Sequence, residues 1–220
     1  MVVIGQIGQS LDGRMTAPPG QSKYINGPGG LAHLHRLRSL ADAVVIGVGT
    51  AIADDPLLTV RLVGGSNPAR VVLDPRGRLP DDAKVLADDG APRLVLRAET
   101  TRRASLGKID IQRLPAEGDR IAPRAILAAL AARGWRRVLI EGGADTLSGF
   151  LRAGLVDRLH LIVAPVMFGD TGRGFAPPPV EGVDQALRAP MRAFPLGDDM
   201  LMDFDLSSQR LRVGHAKTST

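Results

Sequence analysis

Residues 136–165 read RRVLIEGGADTLSGFLRAGLVDRLHLIVAP, and this stretch decides the fold. Arg136–Ile140 ends in an apolar, β-branched run of the kind a buried strand needs. Glu141-Gly142-Gly143 breaks the strand. Ala144, Leu147 and Leu151 then fall at i, i+3 and i+7, on one face of a helix over Ala144–Ala153. Arg158–Pro165 is a second apolar run and a second strand. Strand, glycine turn, helix and strand make a βαβ unit, which implies parallel pairing through a crossover. Glycines behind a strand let the backbone turn tightly and approach a ligand closely. The helix N-terminus beyond them offers unpaired N–H groups and a positive dipole end, which suit a phosphate. Asp145, Thr146 and Ser148 follow, so hydroxyl donors lie close by. Spacing alone leaves two readings open, a pyrophosphate site and a tight turn with no ligand. The pattern is not GxGxxG, and no acidic residue ends the next strand, which argues against a Rossmann dinucleotide fold.

Working outward, the same alternation continues. Val2–Gln9 reads as a first strand, Leu11–Gly30 as a Gly/Pro-rich loop and Gly29–Ala41 as a helix. Ala43–Gly47 (AVVIG) is apolar throughout, as in a strand covered on both faces. A helical turn near Thr50–Asp54 precedes strands at Arg70–Asp74, Arg93–Arg97 and Ile109–Leu114. Ile121–Arg133 is a helix stopped by Gly134, and Met191–Leu206 a hairpin turning at Gly197-Asp198-Asp199. The expectation is an α/β fold with a mainly parallel central sheet, helices on both faces and a C-terminal antiparallel hairpin. One domain spans residues 1–206, and the polar, basic residues 207–220 form a frayed tail.

Composition narrows the functional classes. The 220 residues are 44% hydrophobic and 23% charged, as in a globular protein that buries a core. With no cysteine there are no disulfides, no thiolate metal sites and no thiol nucleophile. The net charge of +5 invites nucleic acid, but only 3% of residues are aromatic and the arginines are scattered. A solvated, arginine-rich surface and small phosphorylated ligands fit better. MVVIGQIGQSLDG carries no targeting pattern, and no run approaches the ~18 apolar residues of a membrane span, so a cytoplasmic location is expected. The histidines are His33, His35, His160 and His215. None belongs to HExxH, so no metal site is expected, and His33 and His35 read as helix-surface residues. GxSxG and Walker A patterns do not occur. Redox chemistry with a diffusible cofactor survives this pruning.

In the helix Gly29–Ala41, Leu31, Leu34, Arg38 and Ala41 follow i, i+3, i+7 and i+10, which puts Arg38 in the middle of the apolar stripe. An inward charge must be paired or hydrogen-bonded. Either its stem snorkels and its head meets water or a carboxylate such as Asp54, or it binds an anion at a cleft together with Arg61. Gly47 and Gly49 form a second, weaker glycine turn between a strand and a helix. Asp54 and Asp55 are adjacent carboxylates, which suits either a raised pKa or a plain turn before Pro56.

SLDGR (10–14), VVIGVGTAIADDPLLTVR (44–61) and LIEGGADTLSGFLRAGLVDRLHLIVAPVMFG (139–169) together resemble the C-terminal reductase domain of bacterial RibD proteins, from Val2 to about Leu206. The resemblance implies a dihydrofolate-reductase-like three-layer sandwich that binds NADPH and forms a homodimer. It implies NADPH contacts at Gly8, Tyr24, Thr50, Asp54, Gly143, Ala144, Asp145, Thr146, Leu147, Ser148 and Gly149. It implies contacts to a phosphoribosylamino-pyrimidine at Ser22, Arg38, Leu58, Arg61 and Glu141. The reaction implied is hydride transfer to C1′ of the open ribosylamine, giving a ribitylamine, with Asp54 or Glu141 as candidate proton donors. Gln6 stands where bacterial members carry Lys, and Tyr24 where Trp is common. No HxE…PCxxC deaminase pattern is present, so the expectation is a stand-alone reductase. Rival readings are a reductase of dihydrofolate or another pteridine-like substrate, and a nucleotide-binding module without turnover.

Overall fold

A computed structural model describes residues 1–15, 25–103, 105–170, 174 and 181–209. The chain enters through β1 (Val2–Ser10), then α1 (Pro28–Leu40), β2 (Ala43–Gly47), α2 (Val48–Asp54), β3 (Ala69–Leu73), β4 (Arg93–Ala98) and β5 (Asp110–Leu114). A two-residue pair, β6 (Ala116–Glu117) and β7 (Arg120–Ile121), precedes α3 (Pro123–Ala132). Then come β8 (Arg137–Glu141), α4 (Ala144–Arg152), β9 (Arg158–Ala164), β10 (Met191–Leu196) and β11 (Asp199–Asp205). Helix α3 starts two residues later than its apolar pattern suggests. Pro123 fits the first helical turn, where a missing N–H costs nothing, and Ile121 is drawn into β7.

Nine strands form one sheet in the order β10-β11-β9-β1-β8-β2-β3-β4-β5. Pairing is parallel from β9 to β5, while β10 and β11 join antiparallel. Burial explains the unbroken apolar runs. Ala43 and Val45 of β2 pack with Val138 and Ile140 of β8 in a core shared with Leu127, Leu130, Leu147 and Phe150 of α3 and α4. Val44, Ile46 and Leu139 point the other way, to Leu37 of α1 and Val48 and Ala51 of α2. Both faces of the central strands are therefore dry, and a period-2 pattern has no polar side to show.

The strand Arg158–Ala164 lies inside the sheet, flanked by β1 and β11, and β10, whose residues are largely exposed, forms one edge. One expectation needs correction. His33 and His35 are not surface residues. His35 is 3% exposed, and the His33 and His160 rings stack with centroids 5.1 Å apart, Nε2 of His33 lying 2.9 Å from Nδ1 of His160. Beyond the hairpin, Ser207–Gln209 forms a 3-10 turn in which the Gln209 Nε2 donates to the Arg188 carbonyl at 2.6 Å, and residues 210–220 lie outside the described residues.

Candidate active site

A cleft of about 760 Å³ opens at the carboxyl ends of β1, β2 and β8. Topology explains its place. From β2 the chain passes through α2 to β3 on one side, and from β8 through α4 to β9 on the other. Helices leaving two adjacent strands in opposite directions part the backbone and leave a crevice, where open α/β sheets bind ligands.

The two glycine turns pack against each other where they line this crevice. Gly47 precedes α2 and Gly143 precedes α4, and neither helix start has a side-chain cap. A Cβ on Gly47 would lie 2.6 Å from the Thr146 hydroxyl, so only glycine lets the first turn of α4 come this close. The Gly143 N–H donates to the Thr50 hydroxyl at 2.9 Å, and a Cβ there would stand 3.2 Å from the same oxygen. Gly8, Thr50, Asp54, Gly143, Ala144, Asp145 and Thr146 all line the cleft. Leu147, Ser148 and Gly149 do not; Leu147 is fully buried in the core and Ser148 is 3% exposed. Tyr24 and Ser22 lie outside the described residues.

Arg38, Leu58, Arg61 and Glu141 line the same cleft. Arg38 points inward as its helical position requires, but its partner is Glu141 rather than Asp54. Its Nε donates to Oε1 at 2.7 Å and Nη2 to Oε2 at 2.5 Å, a two-pronged pair with side chains 7% and 9% exposed. The Arg38 Nη1 donates to the Thr59 carbonyl at 3.1 Å. Burial works against the Arg38 charge, Glu141 more than offsets it, and the guanidinium is held protonated above the ordinary arginine range. Asp54 lies on the rim at the end of α2. Asp55 is tied away from the reacting space: its carboxylate accepts the Lys84 N–H at 2.8 Å and pairs with Lys84 Nζ at 2.9 Å. The adjacent aspartates are therefore a turn, with Asp55 left-handed at φ 39°.

The segment after this turn is held in an uncommon shape. Leu58 is 2% exposed and also left-handed, at φ 55°. That conformation costs a branched residue about 1–3 kcal/mol and persists only where neighbours impose it. Here they do. Thr59 accepts from Arg38, the Val60 N–H donates to Asn67 Oδ1 at 2.7 Å, and the Arg61 N–H donates to His35 Nδ1 at 2.8 Å. His35 was legible in principle, since it lies four residues after Leu31 and three before Arg38, on their stripe. Arg61 sends its guanidinium to the Thr59 hydroxyl at 2.7 Å and stays exposed. Gln6 lies beside Glu141 in the β1–β8 register, 8% exposed, with its amide on the cleft wall.

The SLDGR loop is tied by two side chains to the segment that follows β9. Asp12 accepts the N–H groups of Phe168 and Gly169 at 3.0 and 2.7 Å, and the Arg14 Nε donates to the Gly169 carbonyl at 2.9 Å. Among the described residues no three His, Asp or Glu side chains gather to hold a metal ion, and no helix is long and apolar enough to cross a membrane.

A family model described as the RibD C-terminal domain matches residues 1–193. The chain belongs to the RibD C-terminal domain family. The 2,5-diamino-6-ribosylamino-4(3H)-pyrimidinone 5′-phosphate reductase of Methanothermobacter thermautotrophicus is 34% identical over 213 residues, 92% of this chain and 96% of that one. RibD of Acinetobacter baumannii has 31% identity and a TM-score of 0.79, over 93% of this chain and 57% of that one. Dihydrofolate reductase of Enterococcus faecalis, 12% identical, superposes with a TM-score of 0.53 over 93% of this chain and 96% of its own, which shows the shared fold alone. The chain spans about half the length of the curated RibD proteins it matches, 55% of that from Aquifex aeolicus. The architecture is the dihydrofolate-reductase-like α/β sandwich that the RibD resemblance implies.

Proposed function

We propose that this chain is an NADPH-dependent reductase that converts the ribosyl group of a phosphorylated ribosylaminopyrimidine to a ribityl group. One observation carries the reading: a single cleft unites the glycine turn at α4, the Arg38–Glu141 pair and the exposed cation Arg61. The Methanothermobacter relative, of nearly equal length, is named for such a substrate.

Gly142 and Gly143 with the N-terminus of α4 fit a pyrophosphate, because the turn carries no side chains and the first helical N–H groups lack caps. When bound there, NADPH supplies the hydride for C1′ of the open imine form of the substrate. Arg61 meets the 5′-phosphate. The Gln6 amide faces the pyrimidine ring as both donor and acceptor, a role the Lys of bacterial members fills as a cation. Glu141 is committed to Arg38 and orients it, which leaves Asp54, at the cleft rim, as the remaining candidate proton donor. The cleft walls hold the two ligands in register. Arg61→Ala is expected to raise the KM of the phosphorylated substrate about 10- to 100-fold and to change that of its dephosphorylated analogue little. An equal rise for both would remove Arg61 from the phosphate.

The protein acts in the cytoplasm as a homodimer, with no nucleic-acid or membrane partner. The edge strand β10 supports this: Met191 and Phe194 are 46% and 44% exposed, and an uncovered apolar edge invites a second copy. Light scattering at micromolar concentration should give twice 23.2 kDa; a mass of 23.2 kDa would refute it.

A further inference from the structure

We propose that His35 is a positioning residue that holds Arg61 on the substrate phosphate by accepting the Arg61 backbone N–H, so that protonation of His35 releases the phosphate-binding segment. The inference rests on the reading of Arg61 as the phosphate ligand and adds a group outside the set that the family resemblance implies.

The geometry is specific. A backbone N–H can only donate, so the 2.8 Å bond from Arg61 to Nδ1 makes that nitrogen an acceptor and puts the ring proton of the neutral imidazole on Nε2. His35 is buried at 3% exposure on α1, one turn before Arg38, and both line the cleft. Residues 59–61 are thus gripped at three successive positions, by Arg38, Asn67 and His35. The first two grips hold Thr59 and Val60. Of the three, His35 alone fixes the residue whose guanidinium is exposed and, among the described residues, has no carboxylate partner, so that it can meet an anion. No regular hydrogen-bond ladder supports this segment, so a lost acceptor leaves the Arg61 N–H without its partner and the segment with one anchor fewer.

The groups facing His35 hold it neutral. Burial on α1, with Arg38 on the same helix and Arg61 on the facing segment, pulls its pKa below the ordinary histidine value, and Glu141 on β8 opposes them. A folded-state value below the unfolded one means that the acceptor is intact at neutral pH. It fails only as pH falls through that lowered folded-state value, below the ordinary histidine range.

Steady-state kinetics with NADPH test this on His35→Leu and His35→Asn, the amide oxygen of Asn standing near the place of Nδ1. His35→Leu should raise the KM of the phosphorylated pyrimidine about tenfold, leave kcat within about twofold, and leave the dephosphorylated analogue unaffected. His35→Asn should recover most of the loss. The wild-type KM should also rise towards acid more steeply than that of His35→Asn, the phosphate's own titration being common to both. Equal losses for the two substrates, or an Asn variant as impaired as the Leu variant, would overturn the proposal.

Should wild type fail to turn over the phosphorylated pyrimidine, the functional reading falls by itself. The His35 proposal is then read from ribose 5-phosphate and ribose titrated against the Arg61 amide by NMR. Ribose 5-phosphate should bind wild type and lose about tenfold in His35→Leu. No binding to wild type, or equal binding to both proteins, would overturn it.

Discussion

The Arg38 guanidinium grips the Glu141 carboxylate through two parallel hydrogen bonds of 2.7 and 2.5 Å, joining α1 to the end of β8 across 103 positions of sequence. The pair sits on the cleft wall with under a tenth of either side chain exposed. It answers where an inward arginine finds its counter-charge, and it makes both groups structural as well as chemical.

Removing either partner alone should therefore be costly. Glu141→Met leaves Arg38 buried and unpaired, and Arg38→Met does the reverse, each destabilising by about 3–5 kcal/mol. The double variant should lose much less than the sum, because no bare charge remains. Urea unfolding of the four proteins measures this. Additive losses would show that the two side chains do not depend on each other.

Gly143→Val should abolish NADPH binding in a protein that remains folded. The backbone at Gly143 is not left-handed, with φ −51°, so valine meets no conformational barrier. Its Cβ would crowd the Thr50 hydroxyl 3.2 Å away, and its methyl groups would fill the turn that approaches the pyrophosphate. Calorimetric titration alongside thermal unfolding decides the matter. Normal binding by the variant would reduce the glycine turn to a turn.

Much of this was legible before any coordinates. AVVIG at 43–47 has no polar position, and a strand dry on both faces is what that pattern means. The i, i+3, i+7 stripe correctly turned Arg38 inward. Its partner was not legible, because Glu141 comes near only when α1 packs across β8, and helix spacing says nothing about strand order. For the same reason the place of LHLIVAP in the sheet was not legible: the crossover from β8 over β1 to β9, and the later addition of β11, are long-range choices. The two-residue step from His33 hides His35, whereas the three-residue step to Arg38 puts it on the inward stripe. Lys84 gave no signal, since its bond to Asp55 joins the end of α2 to a 3-10 turn 29 positions further on.

Acid should weaken the fold through a second histidine. Burial first, then His160 and Arg36, lower the His33 pKa to about 4, against 6.5 for the unfolded chain. Between those values the unfolded state binds more protons than the folded one, so stability falls as pH drops from about 6.5 towards 4. His33→Gln cannot take up that proton and should flatten the dependence. Urea midpoints for both proteins at neutral pH and at about pH 5 test this. An equal fall in the variant would assign the acid sensitivity elsewhere.

The most direct test is the oxidation of NADPH by the purified protein when offered the 5′-phosphorylated ribosylaminopyrimidine or dihydrofolate, repeated with NADH. Turnover of the phosphorylated pyrimidine is predicted, with little or none of dihydrofolate. NADPH should bind more tightly than NADH by roughly 10- to 100-fold, the value of one guanidinium–phosphate bond. Arg78 is an exposed candidate for the 2′-phosphate, since Arg76 is already paired with Asp119. Reduction of dihydrofolate with no turnover of the phosphorylated pyrimidine, or equal affinity for the two cofactors, would contradict the account.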